Sequence, residues 1–217
     1  MPIKAIETSY NGYKFRSRLE ARWAVFFEAM DIEYQYEPEG FEIDDGEDKV
    51  FYLPDFYLPK EHCYVEVKGT DEALHNDGRK IALAVDFGNT PCSNGLLILG
   101  DIPDPTKIKW GNIPMFSYLR NDKGIVHEYA IFMPYMGKQK LFCGSDEIVK
   151  QLFSYDDWDF SDAFAHGTVP NSTSTKCHWS YDDLESFNFQ EKSLYWYKLT
   201  EAYTKARQAR FEHGEKP

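Results

Sequence analysis

The stretch that most constrains this chain is Val50 to Gly69, VFYLPDFYLPKEHCYVEVKG. It reads as two β-strands joined by a short turn. The first passes through Pro54-Asp55 into Phe56-Tyr57-Leu58, and the second carries Tyr64-Val65-Glu66-Val67-Lys68 up to Gly69. Successive side chains on a strand point to opposite faces, so Glu66 and Lys68 share one face and Val65 and Val67 the other. If Asp55 faces the same way from the neighbouring strand, two carboxylates and an ammonium converge at a sheet edge. That grouping suits a divalent metal and a water better than it suits a core.

A second carboxylate-bearing element precedes it. Ser17 and Glu20 stand at capping-box spacing. In RLEARWAVFFEAM, Leu19, Trp23, Phe26, Phe27 and Met30 recur with helical periodicity. Glu20 therefore borders a buried stripe. Arg16, Arg18 and Arg22 surround it as a local basic patch. Such a patch matters because the chain as a whole carries a formal charge of −12. Neutralising phosphates supplies much of the affinity of nucleic-acid binders, so any DNA contact must come from a local patch or through bound cations.

The 217 residues allow one large domain, or one domain with a sizeable appendage. An apolar content of 42% is ample for a packed core. No apolar run approaches the roughly 18 residues of a membrane span, and MPIKAIETSYNGYKF has no apolar signal core, so a cytoplasmic location is expected. Cys63, Cys92, Cys143 and Cys177 stand far apart and read as free thiols. Cys143 with Cys177-His178 lacks the second close pair that a zinc site needs.

In chain order, Asn11-Gly12 marks a turn and a helix runs from Ser17 to Met30. Ile32 to Tyr36 alternates as a strand. The acidic run EPEGFEIDDGED reads as a solvated hairpin turn, after which the two strands of the opening stretch complete a three-stranded antiparallel meander. Arg79 to Val85 is a helix that Gly88 is placed to terminate, while Asn76-Asp77-Gly78 before it reads partly as loop. Gly95 to Leu99 is wholly apolar, as expected of a strand buried on both faces. The order is helix, three strands, helix, strand within residues 1–100, a complete small α/β unit with a mixed sheet.

Residues 101–217 form a C-terminal extension packed on that core. It opens on a break at Asp101-Ile-Pro-Asp-Pro and continues with strands at Ile125–Met133 and Lys140–Cys143. An acidic aromatic segment at Tyr155–Asp162 and a Ser/Thr-rich loop at Gly167–Lys176 follow. The chain closes on a long helix within 183–213, with Leu194, Tyr197, Ala202 and Tyr203 on its buried side and Lys205, Arg207 and Arg210 at its basic end.

Taken singly, each charged residue has a structural reading. Asp55 fits a turn, Glu66 and Lys68 a solvated strand face, and Glu20 a helix cap. The arginines fit pairing with Glu28 and Asp31. His62 and Cys63 fit a turn and a strand start, and Lys80 faces either the site or solvent. Their order is what joins them.

Glu20, Pro54-Asp55 and Glu66-Val67-Lys68, within FRSRLEARWAVFFEAM, YLPDFYLP and YVEVKG, resemble the PD-(D/E)xK nuclease superfamily. The phrasing is similar to phage and mobile-element members, near the very-short-patch repair and transposon-end nucleases. The resemblance spans roughly residues 10–100. It implies a restriction-endonuclease-like αβββαβ core and a metal-dependent DNA endonuclease working in a bacterial host cell. It further implies Mg²⁺ or Mn²⁺ held by Asp55, Glu66 and the Val67 carbonyl, with Glu20 completing that shell or binding a second metal, and Lys68 orienting or activating the attacking water. Proximity to the metal would lower the pKa of Lys68. Arg16, Arg18, Arg22 and Lys80 would contact the DNA backbone. The role of residues 101–217 stays open between DNA binding, covering the site and dimerisation, with an accessory protein a further partner. Two other readings stand beside the enzyme: a catalytically idle nuclease fold kept for DNA or protein binding, and an acidic DNA mimic.

Overall fold

The computed structural model describes residues 6–44, 46, 49–86, 90–108, 114–132, 141–144 and 189–211. The expectations for Gly88, Tyr155–Asp162, Gly167–Lys176, Cys177, His178 and the side chain of Leu194 lie outside the described residues.

The chain opens with a hairpin, β1 (Thr8–Tyr10) and β2 (Tyr13–Phe15). Its two-residue turn places Asn11 at φ 45° and Gly12 at φ 83°, conformations that Asn and Gly adopt most readily. Helix α1 (Arg18–Ala29) follows, and Ser17 accepts the Glu20 N–H at its N-terminus as the capping spacing requires. Next come β3 (Gln35–Tyr36), β4 (Phe41–Asp44), β5 (Lys49–Tyr52), β6 (Phe56–Leu58) and β7 (Cys63–Val67). Helix α2 (Asp71–Asp86) leads through a short 3₁₀ turn, Pro91–Asn94, to β8 (Leu96–Leu99). Strands β9 (Phe116–Asn121), β10 (Ile125–Phe132) and β11 (Leu141–Gly144) precede helix α3 (Phe189–Gln208).

A mixed seven-stranded sheet organises these elements in the order β11-β10-β9-β8-β7-β6-β3. Its parallel pair is β7 with β8, which α2 connects, and the remaining neighbours are antiparallel. Strand β8 alternates between two hydrophobic cores. Leu97 and Leu99 join one with Trp23, Phe26, Phe27 and Tyr203, while Leu96 and Ile98 join the other with Ile43, Tyr52, Ile81 and Val85. The sheet is thus sandwiched between α1 and α3 on one face and α2 with the β4–β5 hairpin on the other. Trp23 Nε1 donates to the Gly100 carbonyl at 2.8 Å, tying α1 to the end of β8.

Several expectations need correction. The acidic segment is more than a turn: β4 and β5 form their own two-stranded hairpin, and burial of Ile43 and Tyr52 against α2 outweighs the charge of the exposed side. Strand β5 is accordingly separate from β6, so the meander of the main sheet consists of β3, β6 and β7. Asn76-Asp77-Gly78 is helical, because packing of the α2 stripe at Ile81, Ala84 and Val85 overrides the local preference of that tripeptide.

Residue 100 marks no break in the sheet, since β8 pairs directly with β9 and Ile102 is buried within the segment read as a break. In α3, Leu199, Ala202, Tyr203 and Ala206 are buried, and Tyr203 stacks on Phe26 with ring centroids 4.5 Å apart. Tyr197 was expected on that buried side and is exposed instead. Arg207 at the basic end donates to the Ile102 carbonyl at 2.8 Å. Among the described residues, no helix is long and apolar enough to cross a membrane. Cys63 and Cys92 are buried free thiols, and Cys143 is a half-buried one.

Candidate active site

The register of β6 on β7 pairs Phe56 with Val65, so one step further Asp55 stands opposite Glu66. Side chains directly opposite on antiparallel strands share a face, which brings the two carboxylates to the same side at the end of the hairpin. Both are buried. The Val67 amide donates to Asp55 Oδ2 at 2.7 Å, and Arg16 Nη2 lies 2.6 Å from Oδ1. Glu66 accepts the Tyr52 hydroxyl on Oε2 at 2.7 Å, and its Oε1 lies 2.8 Å from Lys68 Nζ. Lys68 Nζ also bonds to Asp77 Oδ2 from α2.

Glu20 enters from the first turn of α1 and is likewise buried. Its Oε1 accepts the Ser17 hydroxyl at 2.7 Å. Its Oε2 accepts the Tyr36 hydroxyl at 2.7 Å and the Arg16 main-chain N–H at 3.0 Å. Glu20 is therefore both a helix cap and a neighbour of the hairpin carboxylates. Among the described residues, no three His, Cys, Asp or Glu side chains group closely enough to hold a metal ion as they stand.

The electrostatics follow from burial. Burial raises the Asp55 pKa well above the ordinary carboxylate range, and the charges of Glu66 and Glu20 push it further than the Val67 N–H and Arg16 pull it back. Burial also raises Tyr52, reinforced by Glu66, so this phenol stays a donor. Cys92 is pushed up to about 12 by burial and by Glu66. For Lys68, burial favours the neutral amine, but Glu66 and Asp77 outweigh it and the ammonium is held more firmly than usual. The lowering expected for Lys68 rested on a nearby cation. The chain's own carboxylates act in the opposite direction.

Of the four basic residues expected to meet DNA, Arg16 reaches the site through Asp55. Arg18 and Arg22 lie half-buried along α1, with Arg22 Nε buried and without a hydrogen-bond partner, and Lys80 is exposed on α2. Glu28 and Asp31, read as structural partners for those arginines, have other ones. Glu28 accepts from Tyr10, Asn11 and Tyr34, and Asp31 pairs with Lys198. His62 occupies the β6–β7 turn at φ 52° and Cys63 begins β7.

Sequence reading missed Tyr36, Tyr52 and Asp77. Asp77 was hidden by the loop-like composition of its tripeptide. Tyr52, three residues ahead of Asp55, looked like one more hydrophobic strand residue, and only the separate β4–β5 hairpin turns its hydroxyl onto Glu66.

The side chains do not converge on one point as they stand, and what speaks for a divalent cation is the chemistry of the donor set alone. Among the described residues, the buried Glu20, Asp55 and Glu66 and the less buried Glu37 and Asp77 interact with just two cations, Arg16 and Lys68. Hard carboxylate oxygens with excess negative charge are what Mg²⁺ or Mn²⁺ selects. Compared with known proteins, the chain matches no family model, no curated protein and no solved structure.

Proposed function

We propose that the chain is a metal-dependent DNA nuclease, an endonuclease of the PD-(D/E)xK type that hydrolyses phosphodiester bonds. One observation carries the reading: Asp55 and Glu66 are buried opposite one another at the end of a hairpin, with Lys68 2.8 Å from Glu66 and Glu20 close enough to raise the Asp55 pKa. A structural charge network would be expected to balance its buried carboxylates. Here, among the described residues, a surplus remains at the open end of the β6–β7 hairpin, between strands inside the sheet.

Asp55, Glu66, the Val67 carbonyl and Glu20 are the oxygens that would hold the ion. Once bound, it supplies charge neutralisation at the phosphoryl group and acidifies a coordinated water. The chain's own residues do the positioning. The Val67 N–H and Tyr52 fix the rotamers of Asp55 and Glu66. Lys68, kept cationic by Glu66 and Asp77, serves as a charge and proton donor beside the phosphoryl oxygens rather than as a base. Tyr36 and Ser17 hold Glu20 toward the hairpin. Arg16, already paired with Asp55, is the guanidinium that would meet a phosphate bound beside it.

The test is a substrate panel of duplex, branched and single-stranded DNA, incubated with Mg²⁺ or Mn²⁺. Metal-dependent cleavage of at least one, lost in Glu66→Gln, is the expected result. DNA binding without cleavage would favour an idle nuclease fold. Weak DNA binding with tight binding to a host protein would favour the acidic mimic.

A further inference from the structure

Arg16 joins both carboxylate-bearing elements. Its main-chain N–H holds Glu20 Oε2, its Nη2 lies 2.6 Å from Asp55 Oδ1, and its Nε lies 2.6 Å from Glu37 Oε1. The Arg16 side chain is 53% exposed while that of Asp55 is 5% exposed, so the guanidinium covers a buried carboxylate from the solvent side. The other Asp55 oxygen is already taken by the Val67 N–H.

Resting on the nuclease reading, we infer that Arg16 is a displaceable cation. It neutralises Asp55 in the resting chain, yields Asp55 Oδ1 to a divalent ion, and then turns its fork to a substrate phosphate. Like charges repel strongly in a poorly hydrated site, so a guanidinium and a divalent ion cannot both sit on the same oxygen without loss to one of them. Arg16 has somewhere to go. Glu37 remains as its second partner, half the side chain already faces solvent, and its planar fork matches a phosphate as well as it does a carboxylate. Glu20 is held by the Arg16 main-chain N–H and the Tyr36 hydroxyl rather than by the guanidinium, so a swing of the side chain would leave the helix cap in place. Metal and DNA then help each other bind, because each offsets the loss of the Arg16–Asp55 pair.

The experiment is a Mn²⁺ titration without DNA, with free ion followed by electron paramagnetic resonance, for the wild type, Arg16→Ala and Arg16→Lys. Arg16→Ala is expected to bind Mn²⁺ at least about threefold more tightly, the scale set by a half-exposed ion pair, with Arg16→Lys in between. A non-cleavable phosphorothioate duplex is expected to tighten Mn²⁺ binding to the wild type and to leave Arg16→Ala unmoved. Unchanged or weaker Mn²⁺ affinity in a folded Arg16→Ala chain overturns the inference, and Arg16→Lys decides on the same criterion if the alanine variant does not fold. Tighter Mn²⁺ binding by Arg16→Ala with no cleavage of any DNA keeps the displaceable cation and removes the nuclease. Absence of Mn²⁺ binding in every variant overturns both.

Discussion

The Val67 amide donates to Asp55 Oδ2 at 2.7 Å, so the last residue of β7 orients the carboxylate that precedes β6. This bond crosses the hairpin at its open end and leaves the other oxygen of Asp55 to a cation. Glu66 and Glu20 both act against the charge of Asp55 there, a repulsion that the proposed divalent ion would relieve.

Metal is therefore expected to stabilise the fold. At about a hundredfold excess over its Kd, a ligand of the native state adds about 2.7 kcal/mol. For a chain of this size that corresponds to a Tm increase of roughly 5–10 °C. Differential scanning fluorimetry with Mg²⁺ or Mn²⁺ against EDTA checks it. Asp55→Ala is expected to lose the increment, and an equal increment in that variant counts against Asp55 as a ligand.

Tyr52 has a supporting role through Glu66. Tyr52→Phe leaves a buried carboxylate short of one donor, which costs about 1–3 kcal/mol in urea unfolding. Cleavage is expected to fall by a smaller factor than in Glu66→Gln, because the phenylalanine variant keeps the carboxylate and loses only its orientation. A neutral Tyr52→Phe in both assays would show that the hairpin hydroxyl does nothing for the site.

The helix of the C-terminal extension is part of the fold, because Leu199 is fully buried among α1 side chains. Leu199→Ala is expected to lower stability by about 2–5 kcal/mol in a single cooperative transition. A separate, unshifted transition for residues 1–100 would mean that this segment folds without α3.

His127, on β10, gives a pH dependence of its own. Burial lowers its pKa below the ordinary 6.5, with Glu128 opposing, and its Nε2 is buried without a partner. The unfolded chain takes up a proton more readily than the folded one, so stability is complete above that ordinary value and falls as pH drops through it. The contribution is no more than about 1.4 kcal/mol per pH unit. Unfolding free energies at pH 7.5 and 5.5 are expected to diverge less in His127→Gln than in the wild type. Equal slopes would assign the acid sensitivity elsewhere.

What could be read in the sequence was what local physics decides. Ser17 and Glu20 cap α1 because their spacing suffices, and Leu96–Leu99 is a central strand because nothing polar interrupts it. Asp55 opposite Glu66 follows from hairpin geometry alone. The partners that tune them come from afar in the chain. Arg16 meets Asp55 across 39 residues and Tyr36 meets Glu20 across 16, separations that no periodicity encodes. The acidic run at 37–48 concealed Ile43, whose burial against α2 makes a hairpin of what reads as a turn. Gly95 is a similar case: a Cβ there would meet the Tyr118 hydroxyl at 1.8 Å, a constraint visible only once β9 is in place.

The most direct measurement is incubation of supercoiled plasmid with the purified protein and Mg²⁺ or Mn²⁺, resolved on an agarose gel. Nicked or linear product is expected with the wild type, abolished by EDTA and reduced by a factor of about 10² or more in Lys68→Ala. Plasmid left supercoiled by the wild type with either metal, or cut equally well by Lys68→Ala, would contradict the account.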